Sequence, residues 1–261
     1  MEVRSLGYRS DLMIRVLEGS QVEDRGDYLV IRTPSNPTYW WGNFLLLASP
    51  KPGQAARWVA AFRSEFPAAG HVAIGLDVTE LSSVDIGEYA AQDLILERSS
   101  VLTAQDLAEP PRPNRQAAYR ELTGDDDWGQ SADLRAVVYT DEPGGDPEFM
   151  RARLVAERAL TDSGHGSWFG AFVDGELVAQ LGIITDGSGV ARYQNVETHP
   201  DWRRRGLAGS LVWHAGRHGL DTLGASTLVI VADPHADAIR VYRTLGFADA
   251  ETQVGFERQP D

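Results

Sequence analysis

The sequence contains no cysteine, and this absence excludes several kinds of protein. A disulfide-stapled secreted domain, a cysteine-ligated zinc site and a catalytic thiol all need that residue. Long apolar runs are also missing, since no stretch approaches the ~20 residues of a membrane-spanning helix. The first residues, MEVRSLGYRSDLMIR, lack the continuous apolar core of a signal peptide. These absences predict a cytoplasmic protein that does not bind a membrane.

Positive charge is scarce in this chain. Its 261 residues include 24 Lys and Arg against 38 Asp and Glu, which gives a net charge of −14. Such a field repels phosphate backbones, so we do not expect nucleic acid as a partner. It attracts a cationic small molecule such as an amine, although acidity that only serves solubility is the more common case. With 43% hydrophobic residues, the composition is typical of a globular protein of one or two domains.

Three of the 23 arginines stand together in the segment 194–210, QNVETHPDWRRRGLAGS. The segment reads as a strand, a turn at HPDW and a helix with its apolar residues on one face. A strand that enters a helix through small residues exposes backbone N–H groups at the positive end of the helix dipole. Arginines beside these N–H groups add charge. The segment therefore predicts a binding site for an anion, most plausibly a phosphate.

The spacing Arg203-x-x-Gly206-x-Ala208 resembles the acyl-CoA pyrophosphate loop, Q/R-x-x-G-x-G/A, of the GNAT superfamily of N-acetyltransferases. A second segment, DPHADAIRVYRTLGF, resembles the family's N-x-x-A-x-x-x-Y-x-x-x-G-F helix, with His235 in place of the Asn. The matching positions are Ala238, Tyr242, Gly246 and Phe247. The resemblance implies an α/β (α+β) GNAT fold with a mixed central sheet flanked by helices. It also implies acetyl-CoA as co-substrate and no metal.

The order of elements supports this resemblance. From ~115 to ~258 we predict strand, two helices, three strands, helix, strand, helix and strand, which is the GNAT order. The helix that begins at Pro147 is expected to pack through Met150, Leu154 and Val155. The N-terminal half repeats the second part of that order, with NFLLLASPKPGQAARW in the place of the phosphate loop but without its arginines. An unrelated small α/β domain is an equally good interpretation.

These patterns predict three segments. Residues 1–108 form a truncated GNAT-like domain without a CoA site. Residues 109–115 are a Pro-rich linker within AEPPRPNRQ, because three prolines stiffen a polar stretch. Residues 116–261 form the catalytic N-acetyltransferase domain.

The resemblance also implies roles for individual residues. Tyr242 would protonate the departing CoA thiolate, a step open to a phenol with a pKa near ~10, although a purely structural core tyrosine is the alternative. The backbone near Val196 would hold the pantetheine arm and polarise the acetyl carbonyl. The predicted cofactor-binding residues are Val196, Glu197, Thr198, Arg203, Arg204, Arg205, Gly206, Leu207, Ala208, Gly209 and His235.

The general base is the least defined part of the site. Many family members place a Glu on the strand after the phosphate-loop helix, but here that strand is STLVIVA. Glu197, which we predict as catalytic together with Tyr242, and His235 are candidates. A water chain or an amine that arrives neutral fits as well. His214 and His218 lie at i and i+4, but without the Glu of H-E-x-x-H they indicate a solvated helix face rather than a metal site.

The aromatic cluster Tyr39, Trp40, Trp41 and Phe44 has two interpretations. It could wall a substrate pocket or, more commonly for large aromatics, form an apolar seam between the two halves. The predicted function is transfer of an acetyl group from acetyl-CoA to the primary amine of a small molecule by direct attack. A non-catalytic acyl-CoA sensor and an O-acyl or longer-chain acyltransferase are the alternatives. A homodimer is compatible with the sequence.

Overall fold

The computed structural model describes residues 1–140 and 147–260. The helices are α1 (Leu6–Leu17), α2 (Ala55–Glu65), α3 (Ile86–Ala90), α4 (Gly124–Val138), α5 (Pro147–Asp162), α6 (Leu207–Asp221) and α7 (Ala238–Thr244). The strands are β1 (Gln21–Asp24), β2 (Tyr28–Arg32), β3 (Phe44–Leu47), β4 (Val72–Leu76), β5 (Ile95–Ala104), β6 (Ala118–Glu121), β7 (Gly166–Val173), β8 (Glu176–Ile184), β9 (Val190–Thr198), β10 (Thr227–Ala232) and β11 (Ala248–Arg258).

The chain divides into two compact units that are not consecutive in sequence. The first contains residues 1–101, 231–234 and 250–261, and the second contains 102–230 and 235–249. The predicted boundaries need correction here, because residues 254–258 of β11 pair antiparallel with β4 and so complete the first unit. Residues 109–115, predicted as a linker, lie within the second unit.

The first unit has the strand order β1-β2-β3-β4-β11-β5. Strands β2 and β3 are antiparallel, and α2 connects β3 to the parallel strand β4. The element order β2, β3, α2, β4, α3, β5 repeats the order β8, β9, α6, β10, α7, β11, so the predicted internal repeat is confirmed in topology. The sequence patterns did not predict α1, whose buried positions include the small or polar residues Gly7, Ser10 and Arg15.

Helix α1 is anchored by a buried carboxylate. Asp77, which is 1% exposed, accepts hydrogen bonds from the backbone N–H groups of Arg4 at 3.0 Å and Ser5 at 2.8 Å. The carboxylate of Glu251 accepts from the N–H of Gly7 at 2.7 Å. At the other side of the helix, the Tyr8 hydroxyl donates to the carbonyl of Val254 at 2.7 Å. These bonds connect the start of the chain to β4 and β11.

Asp77→Ala is expected to destabilise the protein by about 2 kcal/mol, because it leaves buried N–H groups without an acceptor. The free energy of unfolding from urea denaturation measures this loss. Asp27→Ala is the control, since Asp27 and its partner Arg57 are both exposed and such a pair contributes little. Equal stability of the two variants would contradict the anchoring role of Asp77.

The aromatic cluster packs inside the first unit, so its interpretation as a seam between the halves is corrected. The Trp41 ring lies 5.6 Å from that of Phe44, and its indole N–H donates to Glu257 of β11 at 2.8 Å. Trp40 stacks on His71 with ring centroids 6.3 Å apart. Gly255 of β11 has no side chain, and this leaves room for the Trp41 ring. The aromatic rings are therefore part of the packing of the first unit.

The second unit has the strand order β10-β9-β8-β7-β6, antiparallel from β6 to β9 and parallel between β9 and β10. Strands β7 and β8 form a hairpin that turns at Asp174 and Gly175, with φ values of 52° and 89° that match a tight two-residue turn. Helix α6 packs on β7, β8 and β9, while α4 packs on β8 and β9. This arrangement leaves both sides of β9 supported.

Two helix faces differ from their predictions. Val155 of α5 is 64% exposed, and the buried face carries Arg153, Glu157 and Leu160 instead. The ring of His214 stacks on Tyr119 at 4.6 Å. Nε2 of His218 lies 3.1 Å from the Ser167 hydroxyl. The solvated face predicted for these histidines is therefore wrong, because α6 lays them on β6 and β7.

Candidate functional site

The site begins where β9 and β10 part. The parallel register joins residues 190–192 of β9 to residues 227–229 of β10, while β9 continues to Thr198. Along a strand, backbone groups point alternately to its two neighbours. The C-terminal half of β9 therefore directs backbone N–H and C=O groups into an opening rather than into a neighbouring strand.

A bulge in β9 decides which groups face that opening. Asn195 has φ 46°, and the register between β8 and β9 shifts at this point. Beyond the bulge, the N–H of His199 donates to Val178 of β8 at 2.9 Å, so the odd-numbered residues bond to β8. By alternation, the backbone groups of Val196 and Thr198 point away from β8. The carbonyl of Thr198 indeed accepts from Nε of Arg203 at 3.3 Å.

The N-terminus of α6 lies at one end of the opening. Gly206 precedes the helix with φ 79°, and no side chain caps the first turn. The N–H groups of Leu207, Ala208 and Gly209 have no partner within the helix, as at every helix N-terminus. Arg204 also adopts a left-handed conformation, with φ 61°, which costs a residue with a side chain about 1 kcal/mol. The loop thus combines free donors, the helix dipole and arginines.

The Pro-rich segment that was predicted as a linker supports this loop. The side-chain amide of Asn114 donates a hydrogen bond to the carbonyl of Arg205 at 2.9 Å. The backbone N–H of Asn114 donates to the Ser210 hydroxyl, also at 2.9 Å. A Cβ atom on Gly206 would lie 2.5 Å from the carbonyl oxygen of Arg112, so only glycine fits. The sequence offered no pattern for these contacts, because residues 110–114 are distant from the loop in the chain.

These elements enclose a cleft of about 1120 Å³ within the second unit. The lining residues predicted from the sequence are Val196, Glu197, Thr198, Arg203, Arg204, Gly206, Leu207, Ala208, Gly209 and Tyr242. Those that the sequence did not indicate include Pro110, Pro111, Arg112, Val138, Tyr139, Trp202 and Arg240. Arg205 and His235 are not among the lining residues. The guanidinium of Arg205 lies over the Trp202 ring at 4.5 Å.

Tyr242 lies in α7 and is 4% exposed. Its side chain reaches the cleft, and its ring meets that of Phe247 edge-on at 6.4 Å. Burial raises the pKa of Tyr242 to about 12, because the phenolate is poorly solvated there. The phenol is therefore protonated throughout the physiological range.

Glu197 projects from β9 on the face opposite to the side chains of Val196 and Thr198, toward α4. Its carboxylate accepts hydrogen bonds from Tyr139 at 3.0 Å and Gln180 at 2.6 Å, and lies 3.3 Å from Nε of Arg135. Burial raises the pKa of Glu197, although the three donors oppose the shift. Such a carboxylate is a stronger base than an exposed one.

The repeated segment of the first unit lacks these features. Strand β3 pairs with β4 up to its last residue, Leu47, so the two strands do not part. The first N–H of α2, from Ala55, faces the carboxylate of Glu88 at 3.3 Å. At the start of α2, the carboxylate of Glu88 therefore occupies the position that corresponds to the free N–H donors at the start of α6.

The described residues form neither a metal-ligand cluster nor a membrane-spanning helix. Across residues 1–140 and 147–260, no three His, Asp or Glu side chains are grouped to hold a metal ion. In the same part of the chain, every helix is too short or too polar to span a bilayer.

The chemistry of the cleft suits a ligand of the acyl-CoA type. Uncapped N–H groups and arginines can hold a pyrophosphate, and the open edge of β9 can pair with the amides of a pantetheine arm. Tyr242, whose phenol is protonated, lines the same cleft. Fold and cleft together are typical of an acyltransferase of the GNAT type.

Comparisons with known proteins support this class. The model of the acetyltransferase (GNAT) family matches residues 132–247. A GCN5-related N-acetyltransferase from Kribbella flavida aligns over 98% of this chain and 98% of its own, with 18% identity and a TM-score of 0.68. Another, from Sphaerobacter thermophilus, covers 95% and 85%, with 16% identity and a TM-score of 0.64.

A tandem GNAT protein from the clavulanic acid biosynthesis pathway covers 95% of this chain and 88% of its own, with 13% identity and a TM-score of 0.52. At these identities the solved structures establish a shared fold. Curated protein sequences give no significant match. Residues 132–247 match the acetyltransferase (GNAT) family, and nearly the whole chain shares the fold of GCN5-related N-acetyltransferases.

Proposed function

We propose that the second unit transfers an acetyl group from acetyl-CoA to the primary amine of a small molecule. The observation that carries this proposal is the combination, in one cleft, of an uncapped helix N-terminus, the open edge of β9 and Tyr242. A site that only senses acyl-CoA needs the first two features. It has no use for a buried, protonated phenol beside the thioester.

The residues of the cleft act in sequence. The first turn of α6, with Arg203 and Arg204, holds the pyrophosphate of acetyl-CoA and fixes the position of the thioester. The backbone N–H groups of Val196 and Thr198 face the cleft and stabilise the negative charge that develops on the acetyl oxygen. Tyr242 donates a proton to the thiolate as the amine replaces it.

The first unit has no comparable role in binding CoA. Because β3 and β4 stay paired and Glu88 faces the N-terminus of α2, we propose that each chain binds one CoA molecule. The segment SPKPGQ also lacks arginines, so Lys51 is its one cation and no guanidinium is present to pair with a phosphate.

Thiol release from acetyl-CoA tests the proposal directly. The chain has no cysteine, so a thiol reagent reports only the released CoA. The purified protein is incubated with acetyl-CoA and a panel of primary amines, with an amine-free reaction as the control. We expect release that depends on the amine. CoA binding without release for any amine would favour a sensor, and release with alcohols alone would favour O-acylation.

A further inference from the structure

A cluster of buried charges lies behind the part of the cleft that β9 forms. Arg135 of α4 places Nη1 2.5 Å from Glu157 of α5 and Nε 3.3 Å from Glu197 of β9. Arg153 of α5 lies 3.3 Å from Glu157. All four side chains are at least nine-tenths buried. Two positive and two negative charges balance one another, so the cluster can hold Glu197 as a carboxylate in a poorly solvated place.

The contacts of Glu197 show how its carboxylate is connected to the cleft. One oxygen, Oε2, accepts from Gln180 at 2.6 Å and faces Arg135. The other oxygen, Oε1, accepts from the Tyr139 hydroxyl at 3.0 Å. Both residues line the cleft, but the Glu197 side chain is only 3% exposed, whereas Tyr139 is half-buried. A ligand in the cleft therefore meets the phenol of Tyr139 before the carboxylate of Glu197.

The direction of this hydrogen bond leaves the phenol ready to accept a proton. A phenol has one O–H to donate, and Tyr139 donates it to Glu197. Its oxygen keeps lone pairs that can accept an N–H from an amine. A proton accepted there can move on, because the phenolic proton passes to the carboxylate at the same time.

We propose that Tyr139 and Glu197 form a proton relay that acts as the general base for the acceptor amine. This inference rests on the proposed acetyl transfer and identifies the base that the sequence left open. Arg135 and Gln180 are positioning residues, since they hold the carboxylate against Tyr139.

The relay takes one proton from an amine that arrives protonated. An ammonium proton moves to Tyr139 Oη while the phenolic proton moves to Glu197 Oε1. The freed electron pair on nitrogen forms the bond to the carbonyl carbon, the carbon–sulfur bond breaks, and Tyr242 protonates the thiolate. The second surplus proton on nitrogen restores Tyr242 through solvent. The net product is an amide, free CoA and one proton, which Glu197 releases.

Tyr139→Phe tests the relay, because it removes the phenolic oxygen and keeps the ring. Each primary alkylamine of the panel is paired with its fluorinated, far less basic analogue, such as ethylamine with 2,2,2-trifluoroethylamine. At neutral pH the basic amine must lose a proton, while its analogue arrives neutral. We expect kcat/KM to fall about 100-fold for the basic amine, the usual contribution of a general base, and only a few-fold for the analogue.

Tyr28→Phe is the matched control, since it also removes a hydrogen bond between a tyrosine and a glutamate, Glu65, at 3.2 Å in the first unit. Its kcat/KM is expected to equal that of the wild type. If kcat/KM of Tyr139→Phe fell equally for both amines, Tyr139 would have only a packing role, and this result would overturn the relay. So would an unchanged Tyr139→Phe enzyme.

The failure of the proposed function looks different from the failure of the relay. A wild-type protein that releases no thiol with any amine overturns both. A wild-type protein that acetylates amines, with a Tyr139→Phe variant that does so equally well, overturns the relay alone. Tyr139→Phe is preferred to Glu197→Gln, because the latter unbalances the buried charges around Arg135 and endangers folding.

Discussion

Gly206→Ala is expected to raise the dissociation constant of CoA about 100-fold. The added Cβ would lie 2.5 Å from the carbonyl oxygen of Arg112, and the φ of 79° is unfavourable for alanine. The loop must shift, so N–H groups at the start of α6 no longer converge on the pyrophosphate. The loss of about two charge-assisted hydrogen bonds accounts for a change of this size. Isothermal titration calorimetry with CoA measures it.

Gly224→Ala is the matched control at the other end of α6. Its φ is 70°, but an added Cβ would meet nothing within 4 Å, so it carries the backbone strain without the collision. We expect it to bind CoA as the wild type does, with one molecule per chain. Wild-type affinity in Gly206→Ala would contradict the loop as the CoA site. Two CoA molecules per wild-type chain would contradict the proposal for the first unit.

Tyr242→Phe is expected to lower kcat about 100-fold and to leave the affinity for CoA unchanged. The substitution removes the phenolic proton and retains the buried ring against Phe247. General acids typically contribute a factor of this order, because CoA leaves more slowly as a thiolate than when it receives a proton as the bond breaks. Steady-state kinetics gives kcat, and calorimetry gives the affinity. Lys51→Arg in the first unit is a suitable control for the preparation of a variant protein, since Lys51 lies outside the cleft.

The pH dependence provides an independent check on Tyr242. Burial raises its pKa to about 12, so the folded enzyme keeps the proton where an ordinary tyrosine begins to lose it. As an acid, Tyr242 is active below its pKa, and kcat is expected to stay level from pH ~8 to pH ~10. A loss of activity centred near pH ~10 that disappears in Tyr242→Phe would contradict this assignment. An unaltered kcat in the variant would remove Tyr242 from the mechanism.

The cofactor half of the site could be predicted because its signals are local in sequence. The phosphate loop places its glycine and arginines within a few residues of one another, and Tyr242 stands at fixed spacing from Gly246. Local spacing determines local geometry, since one turn joins a strand to a helix. The order of helices and strands in the second half could be predicted for the same reason.

The acceptor half and the boundaries depend on contacts between distant residues. Tyr139 and Glu197 are in contact only because α4 packs on β9. Their separation in the sequence does not indicate this contact. Arg112 and Asn114 reach the loop from a segment whose prolines indicate a linker. Strand β11 completes the first unit for the same kind of reason, because its partner β4 is far away in the chain. Composition cannot reveal such pairings.

The mass of the amine product is the most direct test of the central claim. Protein, acetyl-CoA and the best amine of the panel are incubated, and the amine is analysed by mass spectrometry alongside the released thiol. The account predicts one acetylated amine for each CoA released, with both products reduced in parallel when Gly206→Ala is used at acetyl-CoA concentrations that saturate only the wild type. Thiol release without acetylated amine, or bound acetyl-CoA that stays intact with every amine, would contradict it.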